Sequence, residues 1–493
     1  MDDTDSIQRC LRITEILEAI VSHVEQTGLA RLARTSRFLQ DVSLDALYKE
    51  LNQLGHLLRC MTDDVCTVAN GRLTLRRRME RGDLNTLKSY AARVRKLTVR
   101  EAEPPLPEEV VRALCMIRSN IDPALTPNLR TLHWEVTHPN YVYILPIFIS
   151  RRLSTFSIPE KLASELWLPN VPPLCPSLSS FSLNGPGKME VDLGFLDQWS
   201  RLEFATCRAI TLQAFKRIAT CPALQSLAFT IPERSDAWLQ AINIDNSSFP
   251  KLREAAITCL SLDAASTWLE KLQLQKLGSL RISMPNGVAP PGSVVYLFNI
   301  LQRHLLSTLS LYSSDPRMQH RHHLSASVLH LLFNCPLLTQ LSINVSSFAI
   351  DDEDLEALSK AFPKLEILEI VANSGDEPSR ITLDGLIPLL KHCPNLCTLN
   401  ISIDASHVTD HIDRPGDGVC NNRITELSLY NSPIGDVGRV AFFLSHILPN
   451  VRTIVEIKTK DSWNMVAKIL EAFALAKEQE QRWWATSGSE KLE

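Results

Sequence analysis

Residues 393–403 read CPNLCTLNISI, in which Leu396, Leu399 and Ile401 follow the pattern apolar, two others, apolar, one other, apolar. Residues 335–343, CPLLTQLSI, repeat it with Leu338, Leu341 and Ile343. In extended chain the last two apolar residues of each triplet share one face and the residue between them takes the other. Each copy therefore predicts a short, half-buried strand. Outward from this pair the pattern continues in both directions. It begins at Val94, Leu97 and Val99, weakens at Leu202, Ala205 and Cys207, and ends in a frayed copy at Val451 and Ile454. Fourteen copies make thirteen steps over 357 residues, a mean of about 27, inside the 20–29 range of leucine-rich repeats.

A second period accompanies the first. Pro127, Pro176, Pro222, Pro250, Pro336, Pro363, Pro394 and Pro449 each stand two positions before the first apolar residue of a copy. Proline cannot continue a helix and biases its predecessor toward extended geometry, so each marks a helix end followed by a strand. Helical sequence precedes several of them, as in DDEDLEALSKAFP, where Asp351 is a helix start with acids behind it. A short strand with one helix cannot bury its apolar face alone. Stacked copies can, which predicts an α/β solenoid over residues 94–460: a curved parallel sheet with helices on the convex side.

Before the repeats, residues 10–54 read as three short helices. Ile13, Ile16, Leu17, Ile20, Val21 and Val24 form one stripe of a helix over 14–25, stopped at Gln26-Thr27-Gly28. A second helix places Leu29, Leu32 and Ala33 on one side, and a third covers 41–54. About 45 residues cannot bury much core alone, so this head is either a cap on the array or a docking module. Residues 55–93 form an adapter ending in a helix, and the basic run Arg72, Arg76, Arg77, Arg78 and Arg81 is expected to be solvated or locally ion-paired. Residues 461–484 form a capping helix with Trp463, Val466, Ile469, Leu470, Phe473 and Leu475 available for packing, and 485–493 a frayed tail.

Three stretches of the head carry a resemblance: ITEILEAI at 13–20, LARLARTSRF at 29–38 and DALY at 45–48. Together they are similar to the F-box-like segments of basidiomycete fungal proteins, and the Cys-Pro turns before the strands resemble the repeats of F-box leucine-rich-repeat proteins. The resemblance implies that Ile13, Ile16, Leu17, Ile20, Leu29, Leu32 and Ala33 include the residues facing a Skp-type adaptor, and through it a cullin. It also implies that Phe38 and Tyr48 pack the helices together. Where the family usually has proline after the first hydrophobe this chain has Thr14, which is expected to cap the helix instead. The implied role is that of the substrate-recognition subunit of an SCF-type ubiquitin ligase, not itself an enzyme, whose solenoid holds a protein client. The alternative is a leucine-rich-repeat interaction scaffold with no ubiquitin role. A third class, a GTPase activator, needs a catalytic arginine such as Arg208 or Arg281, and nothing singles either out.

Composition bounds the choice. With 45% hydrophobic and 22% charged residues the chain folds, and a net charge of −4 over 493 residues gives no reason to expect nucleic acid. No apolar run reaches membrane-spanning length and no secretory signal is visible, so neither a membrane nor export is expected. Twelve cysteines without Cys-x-x-Cys fit a reducing cytoplasm or nucleus.

No catalytic motif emerges. Gly-Pro-Gly-Lys at 185–188 lacks the spacing of a phosphate loop. His320, His322 and His323 share a loop that ill suits metal geometry, so neither metal nor cofactor is expected. Cys175, Cys221, Cys335 and Cys393 precede prolines with no neighbouring base. The binding surface is expected on the sheet. The residues between the last two apolar positions are mostly small and polar, Ser342 and Asn400 among them. Arg208, Tyr312, Asn344 and Tyr430 follow the last apolar position, where alternation sends them to the other side or an edge. These six are the client-binding candidates.

Overall fold

The computed structural model describes residues 13–69, 72–100, 106, 108–119, 124–162, 168–185, 193–232, 239–240, 248–272, 274, 276–285, 287, 289–313, 323–344, 347–370, 379–408, 415–430, 432–456 and 460–489. The chain divides into two compact units, residues 1–227 and 228–493. Fifteen strands form one hydrogen-bonded order that follows the chain. They are β1 (Glu50–Leu51), β2 (Lys96–Val99), β3 (Thr131–Trp134), β4 (Thr155–Pro159), β5 (Ser180–Asn184), β6 (Phe204–Ala209), β7 (Ser226–Thr230), β8 (Glu254–Thr258), β9 (Ser279–Met284), β10 (Thr308–Ser313), β11 (Gln340–Asn344), β12 (Ile367–Ile370), β13 (Thr398–Ile401), β14 (Glu426–Tyr430) and β15 (Thr453–Glu456).

The register is the one the apolar pattern requires. In the first unit Leu97, Leu132, Phe156, Phe181 and Ala205 pair in file. In the second, Ala255, Leu280, Leu309, Leu341, Leu368, Leu399, Leu427 and Ile454 do so. All of them are buried. A one-residue slip would turn every leucine of a strand to the opposite face, so the pattern fixes the pairing.

Prolines act at the turns as expected. Leu338 N donates to Cys335 O at 3.2 Å, Leu365 N to Phe362 O at 3.1 Å and Leu396 N to Cys393 O at 3.1 Å. Each is a four-residue turn with proline second, where its fixed φ costs nothing. Six of the fourteen copies lack the proline, and one of them shows a side-chain substitute. At residues 421–424 the buried Asn421 instead takes Arg423 N and Ile424 N on its Oδ1, at 2.7 and 3.0 Å, and donates from Nδ2 to Leu396 O at 2.8 Å.

The cysteines before the prolines face inward. The Cys393 thiol donates to Phe362 O at 3.4 Å and that of Cys335 to Leu301 O at 3.6 Å. Burial pushes the thiols of Cys175, Cys207, Cys221, Cys259 and Cys393 up to about 12. Because the thiolate is the reactive form, iodoacetamide at pH 8 should alkylate the exposed Cys397 and Cys420 while leaving those five unmodified. Peptide mass mapping of the native protein reads this, and rapid labelling of Cys393 would contradict it.

The head differs from expectation in its boundaries. Its helices are α1 (Thr14–Ser22), α2 (Gln26–Thr35) and α3 (Arg37–Lys49). Thr14 is the first helical residue and does not cap: Ile13 holds the cap position without a side-chain bond. Gly28 does not stop α1 but lies inside α2, where a Cβ would stand 2.6 Å from Val24 Cγ1. Phe38 is exposed, not packed, and Tyr48 meets Tyr90 of a later helix with ring centroids 4.9 Å apart. The third helix ends at Lys49, because Glu50 and Leu51 pair with Lys96 and Leu97. The sheet thus starts one strand before the first apolar triplet.

Further bonds tie the head to that strand. Arg93, on the turn before β2, grips Asp41 Oδ1 at 2.8 Å and also contacts Asp45. In the adapter, Cys66–Ala69 and Arg72–Leu75 pair as an antiparallel hairpin. Arg77 of the basic run bonds Asp83 at 2.6 Å and Asp64 at 2.9 Å, which holds its guanidinium firmly protonated. At the other end a helix spans Lys460–Ser489. It buries Trp463, Val466 and Leu470, whereas Phe473 and Leu475, expected to pack, are exposed. Helix continues to Ser489, past the start of the expected frayed tail. Among the described residues no helix is long and apolar enough to cross a membrane.

Candidate docking surfaces

The first surface is the outer face of α1. Leu17 and Val21 turn inward, toward α3, and Leu29 of α2 is buried with them. Ile13, Ile16 and Ile20 lie on the other side, 45%, 37% and 44% exposed, and Phe38 at the start of α3 is 48% exposed. Leu32 and Ala33 are half-buried. The stripe read from the sequence therefore splits in two. Leu17 and Leu29 hold the head together and cannot face a partner directly, while the three isoleucines present an apolar ridge to solvent. Isolated exposed hydrophobes are ordinary, but three at helical spacing on one face form a patch of the kind that partners cover.

The second surface is the face of the sheet opposite the buried leucines. Its central file in the second unit runs Ala256, Arg281, Ser310, Ser342, Glu369, Asn400 and Ser428. Residues after the last apolar position join this face rather than the far side. Tyr430 donates from its hydroxyl to Glu369 Oε1 at 3.3 Å, across the strand that carries Asn400. In the first unit Asn184 donates to Ser157 Oγ at 2.8 Å and accepts from Ser182 Oγ at 3.1 Å. Burial, reinforced by the Glu369 carboxylate, raises the Tyr430 hydroxyl to about 12, so it stays a donor.

The six client-binding candidates thus fall in three places. Tyr312 is exposed beside Asn344, and Ser342, on the same strand as Asn344, is buried. Asn400 lies between Glu369 and Ser428, under the Tyr430 bridge. Arg208 is on β6 in the first unit, and its side chain is outside the described residues. The Glu369–Tyr430 bond was not legible in the sequence, since it joins residues 61 apart and depends on the left-handed backbone of Tyr430 at φ 43°.

On chemistry the structure is sparse. No metal-binding group of His, Cys, Asp and Glu occurs among the described residues, and His320, His322 and Lys188 lie outside them. His133, facing Lys96 on the open sheet face, has its imidazole pKa lowered, first by burial and then by that cation.

Apolar triplets in register, strand after strand along a parallel sheet, decide the class. The fold is a leucine-rich-repeat solenoid. No family model matches the sequence, and no curated protein matches it. Among solved structures the chain is similar to an internalin, inlF, of Listeria monocytogenes, at 13% identity over 74% of this chain and 88% of that one, with a TM-score of 0.34. It is also similar to a leucine-rich-repeat protein of Leptospira interrogans, at 13% identity over 76% and 81%, with a TM-score of 0.35. A third is TLR13 in its complex with ssRNA13, at 14% identity over 76% and 52%, with a TM-score of 0.37. The open face of the sheet is lined mostly by small polar residues in its central file, and no metal-binding group occurs there among the described residues.

Proposed function

We propose that this leucine-rich-repeat protein is the client-holding subunit of a cullin-type ubiquitin ligase, with α1 docking the Skp-type adaptor. The observation that carries the reading is the exposure of Ile13, Ile16 and Ile20 on a head whose Leu17, Val21 and Leu29 are used internally. An end cap has no need of an outward apolar ridge, because its duty is to cover the first strand. Here β1 itself, continuing from α3, already pairs with the strand that opens the apolar triplets. The resemblance of the head to F-box-like segments supplies the identity of the partner.

The chain's own contribution is placement. Arg93, with Asp41 and Asp45, fastens α3 to the turn before β2, and β1 continues directly from α3. An adaptor on α1 would thus sit at a fixed orientation to the first strands. A client on the sheet gains effective concentration near the transfer site, without bond chemistry by this chain.

The test is affinity capture of the intact protein from its own cells. Co-purification of a Skp-type adaptor with a cullin is the expected result. Recovery of neither, with the protein folded, would favour the scaffold without a ubiquitin role.

A further inference from the structure

The turn row of the first unit stacks three cations in file. Arg95 N donates to Lys49 O at 2.9 Å, Arg130 N to Arg95 O at 2.8 Å, Ser154 N to Arg130 O at 2.8 Å, Ser179 N to Ser154 O at 2.9 Å and Glu203 N to Ser179 O at 2.8 Å. The backbone ladder therefore holds Lys49, Arg95 and Arg130 side by side just before β1, β2 and β3, followed by Ser154, Ser179 and Glu203. Lys49 and Arg130 are exposed and Arg95 is half-buried. Among the described residues no carboxylate pairs with Arg95 or Arg130; Arg95 bonds only the Ala92 carbonyl, at 2.9 Å. Nearby acids are Glu50, which meets Lys96 at 3.4 Å, and Glu135 beyond His133. Like charges directly opposite on neighbouring strands destabilise a sheet. A fold that keeps three in file gains when an anion covers them.

The adjoining row has the opposite character. It runs Lys96, Thr131, Thr155, Ser180 and Phe204, and Phe204 is 46% exposed on the open face. Three strand spacings separate Thr131 from Phe204, about 14 Å, or about four residues of extended chain. Hydroxyls line the interval.

We propose that the turn edge carrying these cations, together with the adjoining open face, binds an extended acidic peptide crossing the strands. Its Asp and Glu carboxylates meet Lys49, Arg95 and Arg130, and an apolar side chain about four residues further on covers Phe204. The inference deepens the proposed function by giving the client segment a chemistry, and rests on that reading only for the word client.

The test is fluorescence anisotropy of the full-length protein with labelled peptides of Asp-Glu-Asp, a Gly/Ser spacer of one to ten residues, and Leu. Affinity should peak at spacers of three to six and fall with salt. Arg130→Glu should lower it about tenfold, and Phe204→Ser several-fold, with the melting temperature of both variants retained. Adaptor capture should be unaffected by either change, so failure here is separable from failure of the ligase reading. The proposal is overturned by affinity that ignores spacer length and Arg130→Glu, or by equal binding of a peptide with Lys in place of the acids. Self-association lost in Arg130→Glu without peptide binding also overturns it, in favour of a second copy.

Discussion

Replacing Ile20 by aspartate should abolish capture of the adaptor while leaving the melting temperature within a degree or two. Ile20 is 44% exposed, so the folded chain gives up little apolar contact when the side chain changes. In a complex the same position is desolvated, and a carboxylate buried against apolar groups without a partner costs several kcal/mol. A loss of about 3 kcal/mol corresponds to roughly 100-fold in Kd. Ile16→Asp should behave alike, since Ile16 and Ile20 are one turn apart on the same face. Leu17→Asp should behave differently: Leu17 is buried, so the head itself should unfold, and binding and stability should fall together. Titration calorimetry with purified adaptor, beside thermal melts of the three variants, reads this contrast. Unchanged affinity in both isoleucine variants would remove the ridge from the interface.

Asn421→Ala should destabilise the second unit by about 3–5 kcal/mol, an unusually large effect for a residue outside helix and strand. Its amide meets three backbone groups, the N–H of Arg423 and Ile424 and the carbonyl of Leu396. Alanine leaves them without partners next to the buried Ile424, and each such group costs about 1–3 kcal/mol. Neighbouring Asn422 is exposed, so Asn422→Ala should stay within about 0.5 kcal/mol. Urea unfolding followed by tryptophan fluorescence discriminates, because Trp463 is buried and donates to Ser432 O at 3.0 Å in the same unit. Equal midpoints for the two variants would show that Asn421 does not replace the proline turn.

What the sequence made legible is what recurs. The apolar triplets and prolines gave strand positions, register and turns because each copy repeats the same local constraint, and tertiary structure only stacks them. Glu50–Leu51 was missed for the opposite reason. Two residues continue a helical pattern, and only pairing with Lys96 and Leu97 makes them a strand. The head's stripe was visible, but not its division into Leu17 inside and Ile16 and Ile20 outside, since helical periodicity finds a broad face without saying which edge a neighbour covers. Thr14 and Gly28 were misread because capping and stopping preferences are weak beside packing: Gly28 answers to Val24, not to a helix end. On the sheet, strict alternation puts Tyr430 on the same open face as Ser428, so sending it to the other side or an edge misapplied the period; the register irregularity in β14 after Ser428 does not remove it from that face, where its hydroxyl meets Glu369.

The most direct test of the account is hydrogen–deuterium exchange of the full-length protein with and without the adaptor. Amides of β11, β12 and β13 should exchange slowly in both states, as hydrogen-bonded parallel strands do. Peptides covering residues 13–24 should gain protection only when adaptor is present. Fast exchange across those three strands would contradict the stacked sheet, and unchanged exchange at 13–24 under saturating adaptor would contradict the docking ridge.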